Sequence, residues 1–75
     1  MTQLHEIKIG GKARVTSVDA ADEIGIRLLE MGLTPGVEVK LLGVAPLGDP
    51  LEFELRGYRL SVRKSEARHV TVEAL

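Results

Sequence analysis

Two histidines, His5 and His69, are the side chains best suited to chemistry, and they stand near opposite ends of the chain. With neighbouring carboxylates such a pair could ligate a divalent ion, because imidazole and carboxylate both suit borderline metals. Cysteine is absent, however, and neither histidine has a second one at helical or strand spacing. Surface histidines are therefore the better reading, and no metal ligand is assigned. Gly10-Gly11-Lys12 has the look of a phosphate loop. A true one needs an earlier glycine, a following Ser or Thr and a helix start, whereas Ala13 follows here and a strand pattern continues. Ser61 and Ser65 lie near His69 and several acids but without a nucleophile-elbow pattern. No catalytic residue and no cofactor site is expected.

The remaining polar feature is a run of cations, Arg56, Arg59, Arg63, Lys64 and Arg68. Two readings stand. One is a solvated strand face balanced by Glu52, Glu54 and Glu66. The other is a basic patch that meets an acidic partner or an anionic membrane surface. Nucleic acid is disfavoured as the partner. Ten Lys and Arg against eleven Asp and Glu give a formal net charge of −1, with one Phe, one Tyr and no Trp to stack on bases.

Seventy-five residues support one domain, spanning residues 1–75. Ordering costs about 1.5 kcal/mol per residue at this size and nearly cancels the gain from burial, leaving little to hold a strained polar cavity. The missing cysteines fit a reducing compartment. The start Met-Thr-Gln-Leu-His-Glu lacks the basic and apolar regions of a secretory signal. No apolar run approaches the roughly 20 residues of a membrane span, so direct membrane insertion is not expected and a cytoplasmic location is.

The elements follow from periodicity. Leu4, Ile7 and Ile9 form an apolar lead-in broken by Gly10-Gly11. Residues 12–18 alternate as a first strand with Ala13, Val15 and Val18 inward. Asp19 is a suitable N-cap for a helix over residues 20–31, on which Ala20, Ala21, Ile24, Leu28 and Met31 share the core stripe. Ile26 and Leu29 fall on the opposite side. Either Leu4 and Ile7 fold back over them, or they form an exposed apolar patch for a partner. Gly25 costs about 0.5–1 kcal/mol in a helix interior, so it marks either close backbone approach or a local weakness. Gly32 suits the left-handed helix exit. Pro35-Gly36 suits the centre of a turn.

Strands follow over residues 37–44 and 51–55. An Arg56-Gly57 hairpin loop would set Leu55 opposite Tyr58, Phe53 opposite Leu60 and Leu51 opposite Val62. The other face then carries Glu54 opposite Arg59 and Glu52 opposite Ser61. Residues 65–68 read as one helical turn and 69–72 as a last strand. Five short strands with one helix after the first strand hide their edges best by partial closure, a small SH3-like barrel with the helix over one mouth.

The segments G-K-A-R-V, R-L-L-E-M-G-L-T-P-G, A-P-L-G-D-P and R-G-Y-R-L-S-V-R-K-S-E-A-R-H-V occur in order over nearly the whole chain. In that order they resemble the FeoA family of bacterial ferrous iron transport. The resemblance implies an SH3-like barrel with a helical insertion and a non-enzymatic, cytoplasmic accessory role beside FeoB, the membrane transporter with a GTP-binding domain. At family level it also implies transition metal ion binding. The same module ends iron- and manganese-dependent repressors, so a metal-responsive regulatory domain is the alternative. No DNA-binding helices accompany it here, and the chain resembles the free-standing form. Ile9 stands where the family often has proline, and Gly25 interrupts a helix usually made of better formers.

The A-P-L-G-D-P stretch is the expected partner surface. Two prolines and a glycine fix a loop at low entropic cost. Its residues Pro46, Leu47, Gly48, Asp49 and Pro50, with Ile26 and Leu29 on the helix, are the candidate contacts. Leu47 either folds onto the barrel rim or stands exposed at the loop tip.

Overall fold

The computed structural model describes residues 2–75. In chain order the elements are β1 (Thr2–Gln3), a single 3₁₀ turn (Leu4–Glu6), β2 (Lys12–Val18), α1 (Glu23–Glu30), β3 (Glu38–Val44), β4 (Leu51–Leu55), β5 (Tyr58–Val62), α2 (Lys64–Ala67) and β6 (Val70–Ala74). One antiparallel sheet runs β1-β6-β2-β3-β4-β5. The five expected strands are present, but the sheet has six. The sixth is the two-residue β1, where Thr2 pairs with Val72 and Gln3 with Thr71. Two residues are too few to show an alternation, so periodicity did not reveal it.

Closure is partial, with β1 and β5 ending the order. The bend comes from two irregularities. The register shifts between Val15 and Ser17 against β6, and between Leu41 and Gly43 against β4. Extra residues on one strand of a pair bend it and increase its twist. At the first, the Thr16 hydroxyl donates to the Thr71 carbonyl at 3.0 Å. The curved sheet wraps one core in which Phe53 is the largest fully buried side chain, joined by Leu4, Leu28, Leu33, Leu55, Val15, Val39, Val62, Val70 and Val72. No polar or charged residue is buried among the described residues.

The β4–β5 register is the one expected from side-chain matching, from Leu51 opposite Val62 to Leu55 opposite Tyr58. Arg56 and Gly57 both have positive φ, 49° and 81°, as a two-residue hairpin turn of this kind requires.

The helix differs from expectation at its start. Asp22, not Asp19, is the N-cap: its side chain accepts the Gly25 N–H at 3.1 Å. Asp19 instead accepts the Ala21 N–H in the preceding turn. Both are aspartates ahead of the same apolar run, and the sequence pattern alone does not separate them. Ala21 therefore lies outside the helix and is exposed, while Leu28 is buried and Ile24 and Met31 pack against the core. Gly25 is buried against backbone. A Cβ there would lie 1.9 Å from the Asp19 carbonyl oxygen and 2.6 Å from Ala20 Cα, so close approach explains it.

The helix exit is a Schellman motif, with Leu33 N–H bonded to Leu28 O and Gly32 N–H to Leu29 O. Gly32 has φ +108°, and Leu28 and Leu33 are both fully buried, the apolar contact that accompanies such an exit. The Tyr58 hydroxyl donates to the Met31 carbonyl, fastening the helix end to β5. Next comes the Pro35-Gly36 turn, closed by Val37 N–H to Thr34 O at 3.1 Å.

Candidate functional site

The loop between β3 and β4 is built by its own backbone. Gly48 N–H donates to Ala45 O at 2.7 Å and Ala45 N–H to Pro50 O at 3.0 Å. Gly48 takes φ +87°, which lets the chain turn back tightly. Asp49 Oδ1 accepts the backbone N–H of Lys64 at 2.9 Å, tying the loop to the first turn of α2. The Lys64 ammonium lies alongside Gly48. Leu47 stands at the tip and is 96% exposed, so it does not fold onto the rim. The bonds that close this turn are backbone ones, so the loop's own geometry does not require an apolar residue at its tip.

On α1, Ile26 is 49% exposed and Leu29 is half-buried. Leu4 does not cover them: it is fully buried in the core, and Ile7 packs against the same core. Among the described residues, no hydrogen bond or ion pair joins Ile26 or Leu29 to the 45–50 loop. The structure thus gathers Pro46, Leu47, Gly48, Asp49 and Pro50 into one unit, with the two helix residues on a different element.

His69 departs from the surface reading. It is half-buried, with Nε2 3.3 Å from Asp22 Oδ2, so the residue that caps α1 also holds the imidazole that follows α2. Its backbone oxygen accepts the Asp19 N–H at 2.7 Å. The hydrogen bond to Asp22 raises the His69 pKa above its ordinary 6.5, against the opposing effect of burial. The Gly25 N–H, and then His69, lower that of Asp22. Nothing in the sequence signalled this contact, because the residues are 47 positions apart. Among the described residues no group of three or more His, Cys, Asp or Glu is arranged to hold a metal ion.

All five cations of the run are exposed, and Glu54 stands opposite Arg59 across the β4–β5 pair, as the solvated-face reading places them. Among the described residues, Arg56, Arg59, Arg63, Lys64 and Arg68 make no side-chain ion pair, and Glu66 pairs with Arg27 at 3.9 Å instead. A groove of about 370 Å³ is lined by Lys12, Glu38, Lys40, Glu54 and Arg56 among others, a mixture of charges without a nucleophile. Ser61 and Ser65 are exposed and unsupported by a base. Lys12 begins a strand rather than a helix, which removes the phosphate-loop reading.

The FeoA domain family model matches residues 2–74. The chain belongs to the FeoA domain family. Its described fold is shared with the FeoA-like protein of Clostridium acetobutylicum, 40% identical, with a TM-score of 0.90 over 100% of this chain and 91% of that one. Stenotrophomonas maltophilia FeoA, solved in complex with zinc, is 35% identical, with a TM-score of 0.85 over 97% of this chain and 91% of that one. That protein is described as a procaryotic SH3 domain protein, which agrees with the SH3-like architecture here. A Fe(2+) transport protein A/Fe(2+) transporter FeoB fusion protein of Porphyromonas gingivalis is 30% identical over 73 residues, 97% of this chain. The chain spans 9% of that relative's length. A manganese-dependent transcriptional repressor shares the fold at 16% identity and a TM-score of 0.88, over 99% of this chain and 36% of that one, a likeness of fold alone.

Proposed function

We propose that this FeoA-family chain is a non-enzymatic, cytoplasmic accessory protein of bacterial ferrous iron uptake that binds the cytoplasmic part of a FeoB-type transporter and modulates it. The observation that carries this reading is the Porphyromonas gingivalis relative, in which an FeoA segment and the transporter FeoB are one polypeptide. Fusion gives two modules a high effective concentration for one another, which is useful when they work in contact. No helix among the described residues is long and apolar enough to cross a membrane.

The action would be a population shift. A small domain that prefers one state of the transporter's GTPase or gate favours that state by its differential affinity, with no chemistry of its own. The 45–50 loop supplies the rigid anchor and Leu47 its apolar tip, with the exposed Ile26 and the half-buried Leu29 as a second contact. Leu47→Asp places a charge at the tip without touching the core. It should weaken binding to the detergent-free transporter and lower ferrous uptake in cells, and unchanged binding and uptake would remove the loop from the interface.

A further inference from the structure

β5 ends the sheet, paired with β4 on one side only. The two-residue loop makes Leu55 and Tyr58 a hydrogen-bonded pair, and antiparallel pairing alternates from there. Tyr58, Leu60 and Val62 therefore direct their peptide groups toward β4. Arg59 and Ser61 direct theirs to the open side. Among the described residues the N–H and C=O groups of Arg59 and Ser61 have no protein partner. Both residues are exposed, and neither a proline nor a bulge interrupts this edge.

The charge on this edge is one-sided. Residues 56–64 carry Arg56, Arg59, Arg63 and Lys64 and no acid, in a chain whose net charge is −1. Glu54 and Glu52 lie across β4 opposite Arg59 and Ser61, yet none of these cations closes an ion pair. An open strand edge invites a further strand, and its flanking charge decides which.

We propose that the free edge of β5 docks an acidic extended segment of a partner protein, which joins the sheet as a further strand. A second copy of this chain fits poorly. Antiparallel self-pairing through the Arg59 and Ser61 peptide groups sets Arg59 opposite its own copy, opposite Arg63, or diagonal to its own copy with Arg56 facing Lys64. An acidic strand makes the same hydrogen bonds with attraction in place of repulsion. The inference goes beyond the transporter reading and does not depend on it, since it concerns the mode of docking and the chemistry of the segment.

The test measures amide hydrogen exchange and chemical shifts of the full chain with two probes. One is a ten-residue peptide of alternating Glu and Val, run beside its Lys and Val counterpart. The other is the full-length transporter in nanodiscs. The acidic peptide should slow exchange at the Arg59 and Ser61 amides, and the lysine peptide should not. Arg59→Glu should weaken that binding about tenfold by reversing the charge, and Ser61→Pro similarly by removing an edge donor. Arg59→Glu lies on the exposed face and keeps the test decisive if Ser61→Pro fails to fold. Equal binding of both peptides, or acidic-peptide shifts that avoid these amides, would overturn the proposal. Transporter binding with both amides unprotected, together with no protection by the acidic peptide, would overturn strand addition while leaving the transporter reading intact. Protection by the peptide with no transporter binding would support the docking edge and sink the transporter reading instead.

Discussion

Asp49 Oδ1 accepts the Lys64 backbone N–H at 2.9 Å, so the loop that displays Leu47 also caps the short helix α2 from fifteen residues away. Glu66 accepts the Arg63 N–H from within this four-residue helix, and the Asp49 carboxylate satisfies a further orphan donor, that of Lys64. Asp49→Ala should cost about 0.5–2 kcal/mol. At this chain length each kcal/mol lowers Tm by about 4–8 °C. Asp49→Asn, which keeps an accepting oxygen, should stay close to wild type in a thermal melt. Equal Tm for Asp49→Ala and wild type would show that the contact contributes nothing.

Gly25 gives two predictions of opposite sign. Helix propensity says that Gly25→Ala stabilises by about 0.5–1 kcal/mol. The structure places the new Cβ 1.9 Å from the Asp19 carbonyl oxygen, against backbone that cannot swing aside. Overpacking of this kind costs about 1–3 kcal/mol or more. Urea unfolding should show a lower midpoint for Gly25→Ala, and a higher one would contradict the close approach.

Gly32 and Tyr58 are coupled. A Cβ at Gly32 would lie 2.2 Å from the Tyr58 hydroxyl oxygen, and Gly32 already sits at positive φ. Tyr58→Phe removes the bond to Met31 O at a cost of about 0.5–1.5 kcal/mol. Gly32→Ala should then cost less in the Tyr58→Phe background than in wild type, because the hydroxyl clash is gone and only the backbone strain remains. A double-mutant cycle measures the difference, and strict additivity would contradict it.

The His69–Asp22 contact makes stability depend on pH. The His69 pKa is raised in the folded state, so its contribution is fully present below the ordinary 6.5 and is lost as pH rises through the folded value. The Asp22 pKa is lowered, so its contribution is present above 3.8 and is lost as pH falls through the folded value. The urea midpoint should fall as pH rises from about 6 to 8. Asp22→Asn keeps the cap and should flatten that slope, since Asn caps about as well as Asp. A midpoint that rises over this range would refute the assignment.

The parts legible in the sequence were those where two patterns agreed at short range. The β4–β5 register was readable because apolar and charged pairs both demanded it. Gly32 and Pro35-Gly36 were readable because positive φ and a preset turn leave few alternatives. Asp19 and Asp22 could not be ranked, since both precede the same helix and only the backbone path chooses. β1 was too short to carry a period, and the pairing of His69 with Asp22 depends on how the two helices meet. Leu47 was recognisable as a candidate from its loop, but its exposure is a property of the folded rim.

We propose that this small barrel engages a FeoB-type transporter through the rim that Leu47 crowns. Titration of the isotope-labelled chain with the full-length transporter in nanodiscs, with and without a GTP analogue, reads that contact residue by residue. Shifts should concentrate in residues 45–50, with or without the Ile26 and Leu29 face, and should disappear in Leu47→Asp. The absence of shifts in every nucleotide state would contradict it.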